Sequence, residues 1–131
     1  MNLAKALGVN SLVKTLTLKN SNLQNSKLSS TGAKALANAL MVNTGLTYID
    51  LRGKNLGADC AMTFVEALKT NTTLTQLDLS WESIIDDGGK ALGELIKLNK
   101  IWVEMDLSKS NISPIVAVEI AEALKENTVM K

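Results

Sequence analysis

At 131 residues the chain has room for one domain, and with 46% hydrophobic but only 3% aromatic side chains its core must be built from Leu, Ile, Val and Ala. A net charge of +1, with the lysines and the single arginine spread along the chain, offers no field that would gather nucleic acid. Cys60 is the only cysteine and histidine is absent, which excludes an internal disulfide, a zinc site and a His-based catalytic triad. The N-terminal apolar run is too short for a signal peptide, and no run of about 20 apolar residues exists to span a bilayer, so a cytoplasmic chain that is not membrane-bound is expected.

In chain order, a first helix is expected over 2–8 on Leu3, Ala4 and Leu7, closing at Asn10. Val13, Leu16 and Leu18 then alternate as a strand, and Leu23 follows five residues later. The polar turn formers around Gln24 to Leu28 form an insertion of five residues, expected to project as a loop and to be a candidate contact segment. Ser29-Ser30-Thr31 opens a helix over 31–42 on Ala33, Leu36, Ala37 and Leu40, closing at Asn43. Leu46, Ile49 and Leu51 make the next strand, with Leu56 after it and a helix over 58–70 on Ala61, Phe64, Val65 and Leu68. Leu74, Leu77 and Leu79 repeat the pattern, with Ile84 and then a helix over 87–98 on Gly89, Leu92, Gly93 and Ile96. Trp102, Met105 and Leu107 repeat it again, with Ile112 and a last helix over 114–126 on Ala117, Ile120, Ala121 and Leu124. Ser113 is its N-cap and Pro114 its first residue.

Asn43, Asn71, Asn99 and Asn127 step by 28 residues, whereas Asn10 lies 33 before Asn43 because of the insertion. One strand, one turn and one helix cannot bury an apolar face alone, so copies must stack. The Leu-x-x-Leu-x-Leu strands at this period, joined by helices rich in Ala and Leu, resemble the ribonuclease-inhibitor-like class of leucine-rich repeats, which includes ribonuclease inhibitors, NOD-like receptor sensor domains, tropomodulins and the activating protein of the GTPase Ran. The resemblance covers essentially the whole chain. It implies an α/β fold: a right-handed βα solenoid, a horseshoe segment with parallel strands on the concave side and helices on the convex side. It also implies a protein-binding role. One domain over 1–131 is expected, of about four and a half repeats and uncapped at both ends.

The chain departs from the family three residues after the last strand leucine, where Asn or Cys is usual. Here stand Ser21, Lys54, Glu82 and Ser110. Ser can replace part of the hydrogen bonding of Asn, and Lys54 and Glu82 are expected either to pair or to turn to solvent.

Strand alternation sends Thr15, Tyr48, Gln76 and Glu104 to the concave face, beside a second column of Thr17, Asp50, Asp78 and Asp106 and a third of Lys19, Arg52, Ser80 and Ser108. The aspartates are expected to stand as a solvated column. Trp81, near the rim, is a candidate anchor; Trp102, at a strand leucine position, is expected in the core. Cys60 replaces a small packing residue. No catalytic constellation, metal site or cofactor site emerges.

The expected function is protein–protein interaction, with no enzymatic activity, through Tyr48, Asp50, Arg52, Gln76, Asp78, Trp81, Glu104 and Asp106. Regulation of a GTPase, with Arg52 as the residue to test, and a scaffold or fragment without its own ligand are the alternatives. The exposed ends are expected to support a homo-oligomer.

Overall fold

A computed structural model describes residues 2–18, 30–53, 57–80 and 86–130. The insertion around Gln24 to Leu28, together with Ser21, Lys54, Trp81 and Glu82, lies outside the described residues, and the expectations placed on these positions go with them. The order is α1 (Leu3–Val9), β1 (Thr15–Thr17), α2 (Ser30–Val42), β2 (Tyr48–Asp50), α3 (Gly57–Thr70), β3 (Gln76–Asp78), α4 (Asp86–Leu98), β4 (Glu104–Asp106) and α5 (Pro114–Glu126). Each helix falls within one residue of its expected span at either end. Each strand keeps only the three central residues of its apolar pattern as regular ladder.

The four strands form one parallel sheet in sequence order, each joined to the next through a helix. Three cross-strand rows result. Thr15, Tyr48, Gln76 and Glu104 stand in one, Leu16, Ile49, Leu77 and Met105 in the next, and Thr17, Asp50, Asp78 and Asp106 in the third. The middle row turns toward the helices, and Ile49 and Leu77 are buried in it. Helices pack on their sequence neighbours, and the core runs between them and the sheet.

The helix-to-strand links, five residues each at 10–14, 43–47, 71–75 and 99–103, explain why the units stack in order, since a link of fixed length delivers each strand beside its predecessor. Small residues let the helices approach. A Cβ on Gly89 would sit 2.8 Å from Val116 Cβ and closer still to both Val116 methyl groups, so only glycine fits against α5 there. Ser113 caps α5 by accepting from the Val116 N–H at 3.4 Å, with Pro114 at the first turn. Trp102 is 1% exposed in its leucine position, and Cys60 is buried.

Asn43, Asn71 and Asn127 each tie their unit to the one before, whereas Asn99 makes only the forward bonds, accepting from the N–H groups of Ile101 (2.9 Å) and Trp102 (2.7 Å). Asn71 Nδ2 donates to the carbonyls of Leu40 (2.7 Å) and Asn43 (3.2 Å) in the preceding unit, while its Oδ1 accepts from the N–H groups of Thr73 (3.0 Å) and Leu74 (2.8 Å). Asn43 does the same with Leu7 and Asn10 (2.7 and 2.8 Å) and with Gly45 and Leu46 (2.9 and 2.7 Å). Asn127 repeats it with Ile96 and Asn99 (2.6 and 3.1 Å) and with Val129 and Met130 (2.8 and 2.9 Å). One amide thus closes a helix, starts a strand and ties two units together.

Candidate functional site on the exposed face of the sheet

The face of the sheet turned away from the helices carries the first and third rows, and three residues per strand suffice to place them. Each aspartate of the third row ends its strand by the same device. Asp50 Oδ1 accepts from the Arg52 N–H (3.0 Å), Asp78 Oδ1 from the Ser80 N–H (2.9 Å) and Asp106 Oδ1 from the Ser108 N–H (2.8 Å). Such turns satisfy backbone donors that the ladder no longer reaches. The chain then folds away through a left-handed residue at Gly53 (φ 63°) and again at Lys109 (φ 55°), the same repeat position.

The expected solvated column of aspartates does not hold. Asp50 is 1% and Asp78 6% exposed. Arg52 folds over both: its Nη2 meets Asp50 Oδ2 at 2.7 Å and its Nε meets Asp78 Oδ2 at 3.1 Å. Adjacent parallel strands set these carboxylates about 4.8 Å apart, and one guanidinium between them turns a repulsion into a bridge across two repeats. The hydrogen bond to Asp50, followed by the charges of Asp50 and Asp78, holds the Arg52 pKa above its ordinary value even though partial desolvation acts the other way. Ser80 Oγ adds a bond of 2.7 Å to Asp78 Oδ1. Arg52 and Asp50 are therefore parts of the frame, and only Asp106 of the three aspartates is exposed as expected.

Beside this bridge, Tyr48, Gln76, Leu77, Asp78, Glu104 and Asp106 line a cleft of about 90 Å³. Gln76 Nε2 donates to Glu104 Oε2 at 3.0 Å across β3 and β4. Burial, then the carboxylates of Asp50 and Asp78, raise the Tyr48 pKa, so its hydroxyl stays protonated. Hydrogen bonds from Ser108, its backbone N–H first, lower that of Asp106. The cleft combines an aromatic wall, an amide and outward carboxylates, a set suited to a polar protein surface. It joins five of the eight residues expected at the site. Asp50 and Arg52 lie beneath and beside it, and Trp81 lies outside the described residues.

The Leucine Rich repeat family model matches residues 70–93. No curated protein matches the sequence. Among solved structures, that of leiomodin-1 actin-binding site 2 superposes with a TM-score of 0.83 at 22% identity, covering 97% of this chain and 73% of the other. A tropomodulin C-terminal domain from Caenorhabditis elegans superposes with a TM-score of 0.78 at 14% identity, covering 98% and 80%. This chain is a βα leucine-rich-repeat solenoid.

Within that repeat, the position where Asn or Cys is usual is filled at its last occurrence by Ser110, whose Oγ donates to the Leu79 carbonyl at 3.0 Å. The substitution keeps one inter-repeat bond of the kind a leucine-rich repeat needs. The heavier work passes to the asparagine ladder at the opposite edge. Its sequence signal was the 28-residue spacing of Asn43, Asn71, Asn99 and Asn127, which marks helix ends but does not by itself reveal the bonds back to the preceding repeat.

Among the described residues no helix is long and apolar enough to cross a membrane, and no group of three or more Cys, Asp or Glu is placed to hold a metal ion.

Proposed function

We propose that this leucine-rich-repeat chain is a protein-binding module, not an enzyme, and that the exposed face of its sheet receives the partner at the Tyr48, Gln76, Glu104 and Asp106 cleft. The cleft carries the reading: it is a concavity on the sheet whose walls join the Tyr48 ring to a polar rim of Gln76, Glu104 and Asp106, the combination in which interface energy concentrates. Asp50, Asp78 and Arg52 contribute by stiffening the floor. The repeat fold supports a protein partner, and the actin-binding site carried by the leiomodin-1 neighbour makes actin the first candidate.

Purified actin provides the test. Binding measured by calorimetry should weaken by about thirtyfold, roughly 2 kcal/mol, when Tyr48 and Gln76 are both changed to Ala. Lys69→Ala, on the helical side where Lys69 pairs with Glu66 at 2.8 Å, should leave binding unchanged. Absence of binding would remove actin. Partners captured from a cell extract equally well by the wild type and by the Tyr48, Gln76 double variant would overturn the assignment of the face.

A further inference from the structure

Arg52 shows how this face of the sheet takes up a guanidinium. It stands two residues after Asp50 and reaches the next strand, with Nη2 2.7 Å from Asp50 Oδ2 and Nε 3.1 Å from Asp78 Oδ2. One repeat on, the same register sets Asp78 beside Asp106, and the position that Arg52 holds falls to Ser80. Ser80 serves Asp78 through its N–H at 2.9 Å and its Oγ at 2.7 Å, and its short side chain brings no positive charge to Asp106. The device that joins the first pair of aspartates is left incomplete at the second.

The cleft lies at that second pair. Its lining comes from β2, β3 and β4, so it opens on the face of the sheet and not at an end of the stack. Among the described residues, four carboxylates of this face, Asp50, Asp78, Glu104 and Asp106, stand against one guanidinium. Asp50 and Asp78 share Arg52, whereas neither Glu104 nor Asp106 is in an ion pair among the described residues. The bonds from Gln76 Nε2 to Glu104 Oε2 (3.0 Å) and from the Ser108 N–H to Asp106 Oδ1 (2.8 Å) come from neutral donors, which orient the two carboxylates without cancelling their charge. At about 90 Å³ the cleft is far smaller than the roughly 300 Å³ at which small-molecule sites begin, and it suits the head of one side chain.

We propose, on the reading of this cleft as the partner site, that the partner fills it with an arginine side chain whose guanidinium pairs with Glu104 and Asp106 and lies against the Tyr48 ring. The surplus of carboxylates selects a cation. Arginine fits where lysine does not, because its planar fork binds two carboxylates at once and stacks on an aromatic face, whereas an ammonium is a compact, strongly hydrated point charge. The partner's arginine thus repeats, one unit along, what Arg52 does within the chain.

Amide NMR of the isotope-labelled chain, titrated with arginine blocked as its Nα-acetyl methylamide, tests this. Saturable shifts are expected at the amides of Gln76, Glu104 and Asp106, and raising the salt should weaken them. Blocked citrulline, which keeps the shape of arginine without its charge, should bind at least about tenfold more weakly, and blocked lysine should also bind more weakly than arginine. Glu104→Gln and Asp106→Asn together should lower the arginine affinity about tenfold; both positions are exposed, and the amide spectrum itself reports the fold. The absence of saturable shifts up to about 100 mM arginine, citrulline or lysine binding as tightly as arginine, or an unchanged affinity in the double variant overturns the proposal. Actin separates this outcome from failure of the underlying reading. Actin binding that is lost with Tyr48→Ala and Gln76→Ala but kept with Glu104→Gln and Asp106→Asn retains the face and overturns the arginine. Arginine binding at the cleft without actin binding removes actin alone and supports the arginine.

Discussion

At the scale of the residue, two short polar side chains do most of the joining. Asn71 is buried and satisfies two carbonyls behind it and two N–H groups ahead of it, so Asn71→Ala orphans four backbone groups at once. The expected loss is about 3 kcal/mol, read from the urea midpoint. Ser110→Ala removes a single bond at a half-buried site and should cost about 1 kcal/mol. Asp50→Ala removes the fully buried partner of Arg52 together with the acceptor for its N–H, and about 3 kcal/mol is expected from the same measurement. Asp106 supplies the pH dependence. Hydrogen bonds from Ser108 hold its pKa below the ordinary value of 3.8, so around that pH the folded chain binds fewer protons than the unfolded chain. Its stabilisation is complete above that value and is lost as the pH falls through the lower, folded value. Asp106→Asn, which keeps an oxygen acceptor, should therefore flatten the acid limb of a stability–pH curve.

Helix α4 is the element whose packing is least forgiving. It approaches α5 over Gly89, where any Cβ meets the Val116 side chain. Gly89→Ala should raise intrinsic helix propensity yet destabilise by about 1–3 kcal/mol, because the clash outweighs the backbone entropy recovered. Val116→Ala in the same chain should restore part of that loss, and a double-mutant cycle would show coupling between the two positions. Independent effects would mean that the helices separate instead of clashing. The strands show the opposite tolerance: three ladder residues each are enough, because Asn closes one side and an Asp or Ser turn the other.

For the molecule as a whole, each repeat is stabilised by its neighbours, so protection should fall from the middle outward. The Leu51 amide, buried and bonded to the Asp78 carbonyl at 3.0 Å, is expected to exchange most slowly in hydrogen-exchange measurements. The Leu18 amide makes an equivalent bond to the Asp50 carbonyl at 3.0 Å, but in an end strand that is only half covered, and should exchange faster. Equal rates would point to a single cooperative unit.

The sequence by itself determined the repeat, its register and nearly every helix boundary. Period-two leucines, helical Ala and Leu, and the spacing of Asn10, Asn43, Asn71, Asn99 and Asn127 are local signals that act within one unit. It also placed Tyr48, Gln76 and Glu104 in one row and the three aspartates in another, as the pairing then shows. Whether those aspartates face water was decided only by tertiary structure. Arg52 is two residues from Asp50 but 26 from Asp78, and only the stacking of β2 on β3 brings one guanidinium between them. For the same reason the ladder bonds of the asparagines, which cross 28 to 36 residues, could be assigned only once the repeats were stacked. A periodic sequence specifies what each unit looks like. Which buried polar groups then satisfy one another depends on the neighbour that stacking supplies.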